Sequence, residues 1–538
     1  MLTHDTVGQR SLVRAIESNA ALRPQHVFIE YGALHITHAA FAAAVRRVAN
    51  GLLAAGIGAG QRVLAFLPNC PEYLVVRFAV QRIGAVFVTC STLYVDDEIR
   101  YQLEASGAVL AITDVDSAER MRAVAGEVDC VREVLLVEPG RMDASAVGVN
   151  AWLSTCSDQL ALPFPDVDAL SMLMYTSGTT ARPKGVMFTH GNEMFSSQGI
   201  AHAFAYTRFE RLLHYFPLYH INGGLALLGP LILRGATLVM VPKFSASSFS
   251  RTLVEAGITM AAMNSTHIKM LLNQPAGSYD SAHKVYRAQF ALPLDLERRE
   301  QFSARFGGIT LVEAYGLTEG MGICIASPID ALWKPGSAGL PFPGYALRLI
   351  DDGGRDVAVG EPGQLLLQCQ SRHGLTQGYF EDPQATAQLL RDGWLHTGDV
   401  GQLDEDGYFY FLERQKDMIK RSGFNVAAAE VERVLLSHPS VREAAVVGIP
   451  DDMREEAIVA FVVAAGGATP DAEQLRSHCA GQLAPYKVPE HVAMLDAMPE
   501  NFLGKVEKKL LRAMARERFA PQVGIHSDFQ GRGEAPSK

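Results

Sequence analysis

The chain has 538 residues, 48% of them hydrophobic, and 48 Lys and Arg against 58 Asp and Glu give a formal charge of −10. At roughly 100–200 residues per domain this is a multi-domain globular protein, too apolar for global disorder and too acidic for nucleic acid to be its main partner. Seven scattered cysteines without a CxxC fit a reducing compartment and neither a disulfide frame nor a zinc site. The first residues lack an apolar signal core, and no apolar run reaches the ~18 residues of a membrane span, so the expectation is a cytoplasmic protein.

Within residues 36–56, Phe41, Val45, Val48 and Leu52 recur at helical spacing and Gly56 closes the pattern, which predicts an amphipathic helix. "QRVLAFLP" (61–68) then reads as a buried strand, "EYLVVRFAVQRIG" (72–84) as a helix, and "AVFVTC" (85–90) as a strand. "VDDEIRYQLEAS" (95–106) follows as a helix and "AVLAITD" (108–114) as a strand. The rhythm returns after residue 190, with "ATLVMVP" (236–242) and "GITMAAMN" (257–264) as strands. Helices alternating with short apolar strands predict an α/β class with largely parallel, layered sheets. Gly-punctuated strand patterns over about 345–412 suggest a β subdomain. Beyond it come a helix (429–437), strands (443–449 and 456–464), a helix (471–483) and a strand (491–495), a small α+β unit. "KVEKKLLRAMARER" (505–518) reads as an amphipathic helix. Residues 521–538 are polar and Gly/Pro-rich, with the composition of an unstructured tail.

Between the strand-like "LSMLMYT" (170–176) and "GVMFTH" (185–190) lie Thr176, Ser177, Gly178, Thr179, Thr180 and Lys184. Small residues let backbone N–H groups approach an anion, and the hydroxyls and lysine add donors. A Walker A loop would carry its lysine before Ser or Thr and open into a helix, so the P-loop reading fails. A generic turn between strands remains the plain alternative for such a composition.

The full stretch "YTSGTTARPKGV" (175–186) resembles the phosphate loop of the acyl-adenylate-forming superfamily, which includes acyl-CoA synthetases, adenylation domains of peptide synthetases and luciferases. Other segments continue the resemblance in the family's order, over about residues 10–520. "EAYGLTEG" (313–320) resembles the adenine and metal segment. It implies nucleotide contacts from Glu313, Ala314, Tyr315 and Gly316, an α-phosphate hydroxyl on Thr318 and a Mg²⁺ ligand in Glu319. Alone, its Thr-Glu would read as a helix N-terminus. "GWLHTGDVG" (393–401) implies that Asp399 binds the ribose hydroxyls. "ERQKDMIKRSGFNVAAAEVE" (413–432) implies Arg414 on the ribose, a hinge at Asp417, Lys420 near the nucleotide, and Ser422 and Gly423 beside a thiol-acceptor tunnel. "PENFLGKVEKK" (499–509) implies Lys505 as the catalytic cation. "HYFPLYHINGGLALLGPL" (214–231) resembles the acyl-pocket segment, with Tyr219 and His220 at its mouth and Gly223 and Gly224 leaving room for an acyl chain. Phe290, Ala291 and Leu292 would supply part of the adenine and acyl walls.

The implied organisation is a large N-terminal domain (1–413, with the β subdomain), a hinge (414–417) and a small mobile C-terminal domain (418–520). The implied reaction is AMP-forming acid–CoA ligation with ATP, Mg²⁺ and coenzyme A, and a homodimer is left open. Loading of a carrier protein and a degenerate nucleotide-binding protein are the alternatives. The chain departs from the family in Ala181 and Glu413, where glycines are usual, and in Asn501, where threonine is common. Pro217-Leu218-Tyr219 offers no acid for an α-ammonium group, which disfavours amino acid substrates. "PLYHING" and "DMIKRSGFNVAAAEVE" also resemble carnitine/crotonobetaine–CoA ligases.

Overall fold

A computed structural model describes residues 11–140, 156–176, 183–291, 294, 296–330, 332–421, 424–451, 455–468, 470–483, 485–501 and 505–519. The chain divides into two compact units, Met1–Thr397 with Gly401–Phe411, and Gly398–Val400 with Leu412–Lys538.

In the first unit the predicted helix spans His38–Ala54, and its N-terminus is capped by Thr37, whose hydroxyl accepts the Ala40 N–H. Phe41, Val45, Val48 and Leu52 are all buried, and each such side chain removed from water contributes about 1.5–3 kcal/mol. The strands Arg62–Phe66, Val86–Thr89, Ala108–Asp114 and Glu133–Val137 are parallel neighbours in a six-stranded sheet. Leu170–Thr176 joins the same sheet beside Val86–Thr89, and Lys184–Thr189 closes its edge antiparallel.

A nine-stranded sheet has a parallel centre that includes Val27–Tyr31, Thr237–Met240, Arg211–His214, Met260–Asn264, Arg287–Ala291 and Thr310–Leu317, with antiparallel strands at both edges. Parallel strands need both faces covered, which accounts for their near-continuous apolar runs. The helix Pro71–Arg82 is buried at every position. Its polar residues therefore have to find partners inside the protein. The stretch around 345–412 forms antiparallel strands, among them Tyr345–Ile350 paired with Gly363–Cys369.

The second unit contains a five-stranded sheet built on the long pair Val441–Asp451 and Glu455–Ala464, flanked by His491–Met494 and the short strands Ile419–Arg421 and Phe424–Val426. The helices Ala428–Leu436, Ala472–Ala480 and Lys508–Phe519 complete it. The α/β class expected from the alternating pattern is the one observed. Among the described residues no helix is long and apolar enough to cross a membrane, and all seven cysteines are free thiols.

Candidate active site

Antiparallel pairing sets Thr176 directly opposite Lys184 and Tyr175 opposite Gly185, so the two flanks of the hydroxyl-rich loop meet at the end of one hairpin. Ser177, Gly178, Thr179, Thr180 and Ala181 lie outside the described residues. The Thr176 hydroxyl is buried with no hydrogen-bond partner among the described residues. Segment 376–380 runs along the outer strand of the hairpin. Met187 N–H donates to the Gly378 carbonyl at 3.1 Å and Phe380 N–H to the Gly185 carbonyl at 2.8 Å. This route delivers Tyr379 between two predicted site residues. Its hydroxyl donates to Glu319 Oε1 at 2.8 Å, and Lys184 Nζ stands 5.1 Å from its ring centroid, within cation–π range. The sequence carried no signal for Tyr379, since a lone aromatic in "QGYF" has neither periodicity nor a charged neighbour to mark it.

Thr318 and Glu319 sit in a tight turn between the antiparallel strands Thr310–Leu317 and Gly322–Ala326, not at a helix N-terminus. The register shifts between Tyr315 and Gly316, and a Cβ at Gly316 would collide with the Gly322 carbonyl. Glycine is needed there for strand approach. Thr318 is buried, and the Glu319 carbonyl accepts the Thr376 N–H at 3.0 Å. The Tyr315 ring lies edge-on to Phe409 at 5.3 Å and roughly parallel to Phe411 at 6.1 Å. Ala314 pairs with Ala326 across the hairpin. Glu313, expected at the nucleotide, has a carboxylate engaged within the protein. Its carboxylate pairs with Arg299 and accepts the Trp333 Nε1–H at 2.9 Å, and burial raises its pKa despite that arginine.

The turn that carries Tyr219 and His220 passes into a π-helical stretch, Asn222–Leu227, a geometry frequent at functional sites. Burial pushes the His220 imidazole down to about 4, so it is neutral at neutral pH, and its Nδ1 accepts the Asn222 N–H at 3.3 Å. The Tyr219 hydroxyl bonds with Ser91 and Thr92. Gly223 and Gly224 meet a steric need of the turn itself. A Cβ at Gly223 would strike the Pro217 carbonyl, and one at Gly224 the Leu218 carbonyl. Their smallness admits this chain's own backbone. Phe290 is buried in the main core, Ala291 ends its strand beside it, and Leu292 lies outside the described residues.

In the second unit, Asp399 is 1% exposed, and the Arg414 Nε meets its Oδ1 at 2.5 Å. The two residues assigned separately to a ribose are thus paired with each other. The expected hinge residue Asp417 ends a 3₁₀ turn, Gln415–Asp417, and accepts from Arg512 of the last helix at 2.6 Å. Lys420 lies in the strand Ile419–Arg421, and Ser422 and Gly423 lie outside the described residues. Lys505 is exposed, and its backbone N–H donates to Asn501 Oδ1 at 3.0 Å. That bond gives the asparagine at 501 a structural use.

Glu413, where the family usually has glycine, is buried and accepts the Ala428 N–H at the start of a helix at 2.9 Å. Its other oxygen is buried with no hydrogen-bond partner among the described residues. Burial, only partly offset by Lys508 and the Ala428 N–H and reinforced by Glu432 and Asp417, pushes its carboxyl from 4.5 up to about 7. The folded state then holds a proton that the unfolded state releases, so stability is expected to fall as pH rises from about 4.5 to about 7 and to level off above. Glu413→Gln should remove that slope and gain on the order of 1–3 kcal/mol at pH 8. Thermal unfolding of both proteins from pH 5 to 8 checks this, and parallel profiles would refute it.

Two partial sites result. One joins Thr176, Lys184, Tyr379 and Glu319 in the first unit, and the other joins Asp399 and Arg414 in the second. Hydroxyls, a lysine and a lone carboxylate make a set suited to phosphates and a hard cation.

Residues 16–380 match the AMP-binding enzyme family, and residues 430–505 match the AMP-binding enzyme C-terminal domain. The chain belongs to the AMP-binding enzyme family. It is 32% identical over 477 residues to a crotonobetaine/carnitine–CoA ligase of Salmonella enteritidis PT4 (strain P125109), which spans 87% of this chain and 91% of that protein. To the ligase of the same description from Escherichia coli O45:K1 (strain S88 / ExPEC) it is 33% identical over 475 residues, with the same coverage. Among solved structures, ATP-bound MatB from Rhodopseudomonas palustris is similar at a TM-score of 0.86 and 28% identity, over 94% of this chain and 99% of that one. O-succinylbenzoate–CoA synthetase (MenE) from Bacillus subtilis, in complex with its acyl-adenylate intermediate, is similar at a TM-score of 0.79 and 28% identity, over 93% and 97%.

Proposed function

We propose that this chain is an AMP-forming acid–CoA ligase. The observation that carries the reading is the similarity to CoA ligases over 87% of the chain, joined to the meeting of Lys184 and Glu319 on Tyr379. A carboxylate cannot expel oxide. In the first step its oxygen attacks the α-phosphate of ATP, the bond to the β-phosphate bridge breaks, and acyl-AMP and pyrophosphate form. The nucleophile is already ionised near neutral pH, so no general base is needed. What the step needs is cations and N–H donors where negative charge spreads. Thr176, Ser177, Gly178, Thr179, Thr180 and Lys184 are the proposed phosphate cradle. Tyr315 is the proposed purine platform, with Thr318 on the α-phosphate and Asp399 and Arg414 at the ribose. Lys505 is the proposed bridge between carboxylate and α-phosphate.

Among the described residues no three His, Cys, Asp or Glu side chains converge on a metal cage. Glu319 offers one carboxylate held by a neutral hydroxyl, and one or two carboxylates with phosphate oxygens are the ligand set that Mg²⁺ favours. Mg²⁺ held there would screen the phosphates. In the second step the thiol of coenzyme A attacks the acyl carbonyl carbon, the bond to AMP breaks and the thioester forms. Ser422 and Gly423 border that path in the proposal, with rotation about Asp417 exchanging them for Lys505. The absence of an acid in Pro217-Leu218-Tyr219 supports a carboxylic acid without an α-ammonium group.

The test is ATP–pyrophosphate exchange over a panel of carboxylic acids, followed by AMP release with and without coenzyme A. Acid-dependent exchange and CoA-dependent release are expected. Release only with a carrier protein would overturn the CoA assignment, and no exchange with any acid would overturn adenylation.

A further inference from the structure

Below the His220 turn lies a buried ion pair to which the chemistry above assigns no role. Arg77, on the fully buried helix Pro71–Arg82, is 1% exposed, and so is Glu193 on the helix His190–Ala203. Arg77 Nη2 meets Glu193 Oε2 at 2.8 Å, while Gln81 Nε2 and the Ser171 hydroxyl both donate to Glu193 Oε1 at 2.6 Å. Burying two charges costs several kcal/mol per ion before their attraction is counted, and apolar replacements of such pairs are often as stable. The pair is therefore a poor device for stability alone.

Its remaining bond shows where it acts. Arg77 Nη1 donates to the carbonyl of Gly224, in the second half of the turn. Other polar side chains grip the same stretch of backbone. Asn69 donates to the Phe216 carbonyl and accepts the Leu218 N–H, each at 2.9 Å, and His214 Nε2 lies 3.0 Å from the Gly223 carbonyl. Arg77 is the charged member of this set, and through Glu193 it also reaches a second functional element. Ser171 belongs to the strand Leu170–Thr176 that leads into the hydroxyl-rich loop, and Glu193 belongs to the helix that follows the hairpin. The chain of bonds runs from hairpin to Glu193, to Arg77, to the π-helical turn.

We propose that Arg77 and Glu193 are positioning residues that fix the acyl-binding turn against the phosphate-binding hairpin. They thereby set where an acid's carboxylate stands relative to the α-phosphate. The inference rests on the functional reading above for what the turn and hairpin hold. Misplacement by an ångström is enough to cost orders of magnitude in a reaction between two bound groups.

The test uses the full chain carrying Arg77→Met together with Glu193→Gln, which leaves no stranded charge and keeps an acceptor for Gln81 and Ser171. Hydrogen exchange should accelerate about tenfold or more in peptides spanning 216–228, as expected for losing a hydrogen bond to a charged group, and stay unchanged in the strand Ala108–Asp114. In pyrophosphate exchange with butyrate, benzoate, malonate and crotonobetaine as probes, kcat/KM for any acid turned over should fall about tenfold or more, with the ATP KM held within about twofold. Unchanged exchange at 216–228, faster exchange throughout the first unit, or an ATP KM that rises as much as kcat/KM for the acid falls would each overturn the proposal. If the unaltered protein were inert toward every acid, the functional reading would fall, and hydrogen exchange would still decide the anchoring.

Discussion

Replacing Lys505 with alanine is expected to reduce acyl-adenylate formation by about 10²–10³-fold, the loss typical of removing one preorganised donor from developing charge. Thioester formation from supplied acyl-AMP should stay within a few-fold of the unaltered protein. The two half-reactions separate because the lysine is proposed to serve only the step in which carboxylate and α-phosphate, both negative, come together. Residue 505 is exposed, and its backbone is closed against Asn501 by the Lys505 N–H to Oδ1 bond at 3.0 Å and the Asn501 N–H to Lys505 carbonyl bond at 2.8 Å. Pyrophosphate exchange reports the first half-reaction and CoA consumption with synthetic acyl-AMP the second. Equal losses in both would contradict the division of labour.

Glu319→Gln should be the other severe change. The variant keeps the shape of the turn and an acceptor for the Tyr379 hydroxyl, which lies 2.8 Å from Oε1, but loses the charge. Adenylation is expected to fall on the order of 10²-fold, with half-maximal activity displaced to at least about tenfold higher Mg²⁺. Tyr379→Phe should do less. It removes the hydroxyl and leaves the ring beside Lys184, so the cost is one hydrogen bond to a charged group, about tenfold. Calorimetric titration of ATP with and without Mg²⁺ distinguishes metal loss from misfolding. Glu319→Gln should weaken ATP binding only when Mg²⁺ is present, and weaker binding in both conditions would argue against a metal role.

The elements themselves were legible in the sequence. Apolar spacing in 36–56 and the runs at 61–68, 85–90 and 108–114 correspond to one helix and three neighbouring parallel strands. The hairpin around the hydroxyl-rich loop was also readable, because strand, small residues and strand follow one another directly. Less legible were features in which one residue meets another far away in the chain. Nothing near Arg77 marks it as a partner of Glu193, 116 residues on, or of Gly224, 147 residues on. Glycines 223 and 224 stand out in the sequence as an adjacent pair of small residues. Their presence was noticed, but their neighbours are backbone carbonyls of a turn whose π geometry no residue pattern announces. Glu413 was noticed as a departure, and only its surroundings give it a task at a helix start.

The amino-acid order alone determined the family, the succession of helices and strands, and the residue types available for binding phosphate and a hard cation. These depend on periodicity, turn chemistry and spacing over a few residues, all of which are local. Tertiary structure decided which polar groups hold one another, with Tyr379 between Lys184 and Glu319, Arg414 on Asp399, and Arg77 and Glu193 beneath the His220 turn. A buried charge or donor must find its complement wherever packing brings one, and packing joins segments that no short stretch of sequence can relate.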